Sequence, residues 1–419
     1  MILFLYNVFV IPILRIAVRC ISLFNPKLRE REAAWKTTLA RIPQLPPNTQ
    51  RVWFHVASMG EFEQAKPIIE QLKKNNPTLS IIVSFYSPSG YRNQKDYSLA
   101  DAVVYMPLDT RKKARQFIVA INPSVVVFIR YELWLNHLAE LSKREIPAYL
   151  FCATFPNSSL WSYPIFRSIL SNTLNYFTEI YTVGQRETNL FQNAGTSTPV
   201  HSASDTRFDR IISVIEKSQK EPPILPENYF MPDDIVVVAG STWQQDEEML
   251  IGAFYELEHQ EYPIRMIIVP HEPTTEHIQA IESKLENSVL LSEVITKGTI
   301  ARHIIVDSIG KLLKLYSYAD IVYVGGGFGA GVHSTAEPAG YGVPLVCGSN
   351  IKRSPDAQNL FELNALTCIN SCNELIEWLM KMIDEKPERL KRGELAKNYV
   401  YKGLGGSKAA AEIIKNVLN

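Results

Sequence analysis

Beyond residue 48 the chain alternates short β-branched runs with longer stretches of helical periodicity, and this alternation restricts the possible folds more than any other feature. A run such as Val125-Val126-Val127-Phe128-Ile129 is apolar at every position rather than at every second one. Such a strand needs cover on both faces, which a parallel sheet layered between helices provides. Runs of this kind fall into two sets. Arg51 to Val56, Ser80 to Phe85, Ala102 to Met106, Ser124 to Ile129, Ala148 to Phe151 and Glu179 to Val183 make the first. The second comprises Ile235 to Ala239, Arg265 to Val269, His303 to Val306, Ile321 to Val324, Pro344 to Cys347 and Leu366 to Ile369. The pattern predicts an α/β chain with two doubly wound, Rossmann-like domains.

Between the sets lies EKSQKEPPILPENYFMPDD, residues 216–234, rich in Pro and charge and without a period, which reads as a linker. The expected organisation is therefore a first segment over 1–30, an N-terminal domain over 31–215, the linker over 216–234 and a C-terminal domain over 235–419. A length of 419 residues suits such a division. Two domains of this type, facing each other across a central cleft, would bind ligands at the carboxyl ends of their strands.

The first segment, MILFLYNVFVIPILRIAVRCISLF, is apolar but interrupted by Asn7, Pro12, Arg15 and Arg19. A span wants about 20 nearly uncharged residues, and a cleaved signal carries its charge ahead of the apolar stretch. The expectation is a membrane-surface helix with Arg15, Arg19, Lys27, Arg29 and Arg31 toward anionic headgroups, the alternative being a buried first helix. Lys plus Arg and Asp plus Glu are both 43, so no global field favours nucleic acid as a partner. The five cysteines are scattered without a C-x-x-C pair, which suits a reducing compartment.

Candidate chemistry sits just after the strands. HVASMGE follows the first strand, and Ser58 with Glu61 has the spacing of a capping box. Gly60 permits a tight turn there, and a carboxylate in a cleft can act as a general base. Glu132 of YELW follows the run Val125 to Ile129, as a helix-start acid or as a site residue. SDTRFDR gathers Asp205, Arg207, Asp209 and Arg210, with a solvated Arg207–Asp209 ion pair as the plain alternative. In the second half, Gly240-Ser241-Thr242 reads as a glycine turn entering a helix whose free N–H groups can hold an anion. Gly325, Gly326, Gly327, Gly329 and Gly331 suggest backbone close to a ligand, with His333 and Glu337 at the lip of a short helix. Gly325, Gly327 and Ala330 fit G-x-G-x-x-A, but Pro338 and the further glycines do not suit a dinucleotide fingerprint. No His, Asp or Glu cluster has metal-site spacing, so no metal and no other cofactor is expected.

With ASMGE, SPSGY, YELW, DTRFDR, AGSTWQQDE, PHEP, DSIGKL and GGGFGAGVHSTAEPAGYGVPLV in order, the chain resembles the 3-deoxy-D-manno-octulosonic acid (Kdo) transferases over nearly its whole length. The resemblance implies a GT-B fold, attachment to the cytoplasmic face of the inner membrane, and inverting transfer of Kdo from CMP-Kdo to a phosphorylated, acylated disaccharide precursor of lipid A in lipopolysaccharide assembly. By it Glu61 matches the general base, while Glu132 and Arg207 match positions that stabilise the transition state. Pro270 and His271, then Ile309, Gly310 and Lys311, then Ser334, Thr335, Ala336 and Glu337 match CMP-binding positions. The first domain would take the acceptor and the second the donor. Against the commoner family pattern, His271 stands for Arg, Arg207 for Lys, Ser204 for Gly and Ser334 for Asn, and residues 150–161 differ in a way that bears on acceptor selection. RKKAR, 111–115, is a candidate cationic rim for the acceptor, or a solvated helix face. Another sugar-nucleotide transferase or epimerase, or a catalytically silent membrane-surface binding protein, are the rival functions.

Overall fold

The computed structural model describes residues 2–44, 49–155 and 163–419, so that of the divergent stretch 150–161 the part from 156 onward lies outside the described residues, as does the side chain of Lys27. The chain divides into two compact units, Met1–Arg210 with Leu404–Asn419, and Ile211–Gly403. This differs from the expected organisation. The division falls inside the helix Thr206–Lys220 rather than in 216–234, and the last helix returns to the first unit instead of closing the second.

In the first unit seven parallel strands, β1 (Arg51–Val56), β2 (Ser80–Phe85), β3 (Ala102–Tyr105), β4 (Val125–Ile129), β5 (Ala148–Ala153), β6 (Glu179–Thr182) and β7 (Val200–Ser202), are ordered β3-β2-β1-β4-β5-β6-β7. Successive residues of a strand point to opposite faces, and each face is buried. Val52, Phe54, Val56, Val125, Val127 and Ile129 join one core with Ala410, Ala411 and Ile414 of the last helix. Trp53, Val126 and Phe128 join the other with Phe117, Leu138 and Leu141. The returning helix Gly406–Leu418 begins on Asp209, whose carboxylate accepts the N–H groups of Gly405 at 2.8 Å and Ser407 at 2.7 Å. Asp209 is thus a helix cap and not the ion-pair partner of Arg207. Replacing it with Ala should cost about 1 kcal/mol, read as a lower Tm with the activity retained.

The apolar N-terminal segment forms one helix, Ile2–Phe24, long and apolar enough by length and composition to cross a membrane, despite the interruptions at Asn7, Pro12, Arg15 and Arg19. One stripe of it rests on its own unit. Ile11 and Val18, two turns apart, are buried, the Tyr6 hydroxyl donates to Asp109 Oδ2 at 2.9 Å, and Asn7 Nδ2 donates to Asn136 Oδ1 at 2.8 Å. Phe4, Phe9, Ile13, Ile16, Leu23 and Phe24 are exposed. RKKAR opens the helix Arg111–Ile121, with Arg111, Lys112 and Arg115 exposed to solvent and Lys113 lying over the Trp35 ring.

The second unit repeats the plan with β8 (Ile235–Thr242), β9 (Ile264–Pro270), β10 (Ser288–Leu290), β11 (His303–Ile305), β12 (Ile321–Val324), β13 (Leu345–Gly348) and β14 (Leu366–Ile369), ordered β10-β11-β9-β8-β12-β13-β14, all parallel. In both sheets the strand order reverses at one place, between β1 and β4 and between β8 and β12. The loops leaving these four strands flank the two switch points, where open parallel sheets bind ligands.

Candidate active site

In the first unit Glu61 is the third residue of the helix Met59–Asn75, directly after β1. Ser58 caps that helix by accepting the Glu61 N–H at 3.4 Å, and Glu61 Oε2 accepts the N–H of Ala57. The carboxylate is therefore both a helix-start acceptor, as the S-x-x-E spacing predicts, and a buried group at the switch point, with 3% of its surface exposed. Among the described residues none donates a hydrogen bond to its other oxygen, Oε1. Burial pushes the Glu61 carboxyl above the ordinary glutamic acid value, and the charge of Glu132 pushes it further; the Ala57 N–H, His55 and Arg130 act in the opposite direction.

Glu132 reaches the same place from β4. The chain leaves that strand through Arg130 at φ 70°, a left-handed conformation, and the next helix starts only at Leu135, so Glu132 lies outside it and is no helix-start acid. Glu132 Oε2 accepts the Trp134 indole N–H at 2.7 Å and stands 3.4 Å from His55 Nε2. The two acids thus come from the two strands that bound the switch point. The charge of Glu132 thus raises the proton affinity of Glu61, which strengthens that carboxylate as a general base.

Arg207 stands at the start of the helix Thr206–Lys220 and is oriented by Asp205, which accepts its backbone N–H at 2.9 Å and its Nε–H at 2.7 Å. Asp205 in turn accepts from Gln64 at 3.0 Å, and the Thr206 hydroxyl donates to the Gln64 carbonyl at 2.7 Å. Gln64 lies one helical turn beyond Glu61 on the same helix, so the Arg207 loop is tied to the element that carries the buried acid.

The second unit gathers the remaining residues in the segments that follow β8, β9, β11 and β12. Pro270 ends β9, His271 is exposed, and its backbone N–H donates to the Thr242 carbonyl at 2.9 Å. The His271 ring stacks on His333 with centroids 4.4 Å apart and lies 4.7 Å from Trp243, whose indole N–H donates to His333 Nε2 at 2.9 Å. Burial, and then the neighbouring His271, lower the His333 imidazole below its ordinary value. Ile309 and Gly310, the latter at φ 80°, form an exposed turn beside Lys311, which opens the short helix Leu312–Leu315. Ser334 is exposed, Thr335 and Ala336 are buried, and Glu337 is half-buried. Thr335 Oγ1 is buried without a hydrogen-bond partner.

Two expectations change here. Gly240-Ser241-Thr242 is not a turn but the end of β8. A Cβ on Gly240 would collide with the Tyr316 hydroxyl, Thr242 is buried with its hydroxyl on Glu247 at 2.9 Å, and only Ser241 of the three is half-exposed. The N-terminus of the helix Gln244–His259 already holds an anion of the protein's own: Asp246, fully buried, accepts the N–H of Trp243 at 2.9 Å, that of Gly326 at 2.9 Å and the Tyr323 hydroxyl at 2.7 Å. The glycines after β12 likewise meet protein. A Cβ on Gly325 would touch the Ser241 carbonyl, and one on Gly327 would lie 2.6 Å from Gly348 backbone atoms. The structure adds Trp243, Asp246 and Trp134, which the motif reading passed over. Trp243 and Asp246 were visible only as part of GSTWQQDEE, where a capping acid at the third helical position was the available signal. Among the described residues no group of three or more His, Cys, Asp or Glu could hold a metal ion.

The profile of a family described as "3-Deoxy-D-manno-octulosonic-acid transferase (kdotransferase)" matches residues 33–210. A 3-deoxy-D-manno-octulosonic acid transferase of Haemophilus influenzae is 22% identical over 417 residues, covering 97% of this chain and 96% of the relative. One of Chlamydophila psittaci is 26% identical over 364 residues, covering 84% and 82%. Among solved structures, UDP-GlcNAc 2-epimerase of Neisseria meningitidis superposes with a TM-score of 0.61 at 15% identity, covering 88% of this chain and 99% of that one. This last likeness is one of fold.

Proposed function

We propose that this chain, which belongs to the Kdo transferase family and is thus a glycosyltransferase, moves Kdo from CMP-Kdo with inversion onto a lipid A precursor and releases CMP. The observation that carries the proposal is the buried Glu61–Glu132 pair at the first switch point, in which Glu61 Oε1 accepts no hydrogen bond among the described residues. Glu61 takes the proton of the acceptor hydroxyl as the new bond forms at the anomeric carbon. Glu132 faces the positive charge that develops there, and Arg207 meets an anion, the departing phosphate or the donor carboxylate. Pro270, His271, Ile309, Gly310, Lys311 and Ser334 to Glu337 bind the nucleotide. Ser241 is the one residue of the β8 end that keeps a place in this proposal.

The test is incubation with CMP-Kdo and a lipid A precursor, scored by CMP release. Transfer is expected to fall as pH drops through the raised Glu61 value, because the base is lost on protonation. An acid limb no higher than that of an ordinary glutamic acid would remove Glu61 from the role. No metal takes part in the proposed chemistry, and EDTA should leave the rate unchanged; loss of activity restored by a divalent cation would contradict this. The fold likeness to an epimerase keeps one rival in the test. CMP, and not UDP, should compete with the donor.

For the membrane, the proposed arrangement is a helix lying on the cytoplasmic face of the inner membrane. Its bonds from Tyr6 and Asn7 to Asp109 and Asn136 hold the first two turns against the protein, while its exposed apolar side offers Phe9, Ile13 and Ile16 to lipid. Removal of residues 2–24 should release the protein from anionic liposomes in flotation, and undiminished binding would contradict the arrangement.

A further inference from the structure

His55 is fully buried at the fifth position of β1, yet it carries a polar edge into the acid pair. Its Nδ1 lies 2.8 Å from Ser84 Oγ on β2, and its Nε2 makes no hydrogen bond but faces Glu132 Oε2 at 3.4 Å. The direction of the Ser84 bond settles which nitrogen holds the proton. The Trp53 indole is a donor only, and it occupies Ser84 Oγ from 2.8 Å. The single proton of Ser84 then goes to His55 Nδ1 or to the Phe54 carbonyl, and the latter, at 3.5 Å, is beyond the usual O–H···O range. Ser84 therefore donates to Nδ1, and the imidazole proton sits on Nε2, pointing at Glu132. The reverse tautomer would set a nitrogen lone pair against a carboxylate.

We propose that His55 is a positioning residue: held by Ser84 and Trp53, it aims Nε2–H at Glu132 Oε2 and, with the Trp134 indole on the same oxygen, fixes that carboxylate beside Glu61. The inference rests on the proposed transfer reaction for its consequence, though not for its geometry. With Oε2 of Glu132 bonded by the Trp134 indole and faced by His55 Nε2 at 3.4 Å, and Oε2 of Glu61 bonded by Ala57, the second oxygen of each acid accepts no hydrogen bond among the described residues. The His55 and Trp134 rings also meet nearly perpendicular with centroids 5.3 Å apart, so one residue packs against both the carboxylate and its indole donor. Among the described residues, the charged and titratable groups that act on Glu61 are Glu132, His55 and Arg130 from the β4 loop; the Tyr86 and His137 rings lie 5.0 and 6.0 Å from that of Trp134. Removing the Nε2–H takes a donor from an acid pair, so the pair binds its first proton at higher pH.

Two substitutions separate positioning from packing. Gln at 55 can place an amide N–H near the Nε2 position, whereas Asn reaches only the Ser84 side. His55→Gln should keep the acid limb of kcat/KM where the wild type has it. His55→Asn should move the limb up by roughly one pH unit and lower kcat about 10- to 100-fold with the KM for CMP-Kdo unchanged. An unshifted limb in His55→Asn, or equal effects of both variants, overturns the proposal. Should His55→Asn not fold, Trp134→Phe, which deletes the other donor to the same oxygen, must move the limb the same way, and a limb left in place is equally contrary. Carbon-13 NMR titration of the Glu61 and Glu132 carboxyls reads the same displacement without turnover. A wild type that shows no transfer therefore refutes the reaction, while an NMR titration unchanged by His55→Asn refutes only the role of His55.

Discussion

Glu61→Gln is expected to lower transfer by about 10²- to 10⁴-fold, the range typical for loss of a positioned general base, while CMP affinity stays at the wild-type value. The side chain keeps its shape and can still accept the Ala57 N–H, so the helix start survives and only the proton acceptor is lost. The same substitution should make the protein more stable at neutral and alkaline pH. Burial and Glu132 raise the Glu61 carboxyl in the folded state, so between its ordinary and its raised value the folded chain binds a proton that the unfolded chain has released. Stability then falls as pH rises through that window, and a glutamine, which cannot ionise, is spared the loss. Denaturant midpoints measured below and above the window should separate for the wild type and coincide for the variant. Coincident midpoints for both would mean that the carboxylate is not strained by its surroundings.

Gly325→Ala should have the opposite signature, with nucleotide binding lost. Gly325 follows β12 and donates its N–H to the Gly240 carbonyl at 2.9 Å across the second switch point. An added Cβ would meet the Ser241 carbonyl oxygen and lie 2.7 Å from both Ser241 C and Thr242 Cα. These are backbone atoms with no rotamer to give way, so β8 and β12 must part. Overpacking of this kind costs about 1–3 kcal/mol. The displaced segment carries Gly326, whose N–H is bonded to Asp246, and leads to His333 and Thr335. A loss of CMP affinity of at least tenfold, by calorimetry, accompanies a lowered Tm in this account. Wild-type affinity would show that the glycine loop lies away from the nucleotide.

The strands that the sequence revealed are those with continuous apolar runs, because double-sided burial leaves no polar position to blur them. β1, β2, β12 and β14 have the expected limits. β7 and β10 were missed, being three-residue edge strands, Val-His-Ser and Ser-Val-Leu, too short to carry a period. The return of the last helix was hidden for another reason. Its cap is Asp209, nearly 200 positions earlier, and no local pattern records such a contact. At the candidate site, the places of Glu61 and Glu132 directly after buried strands were legible in the sequence, while the roles expected of them came from the family resemblance. The glycines misled in part: a sequence shows that a backbone is approached closely, but not whether the neighbour is a ligand or, as at Gly325 and Gly327, another strand. The tautomer of His55 depends on Trp53 and Ser84 together, and only coordinates bring those two onto one oxygen.

The central claim is that the chain's own substrates are CMP-Kdo and a hydroxyl of a lipid A precursor. Mass spectrometry of the acceptor after incubation with CMP-Kdo tests it directly. The account predicts an acceptor heavier by whole Kdo units, with one CMP released for each unit added. An unchanged acceptor, or a sugar gained from a UDP donor in its place, would contradict it.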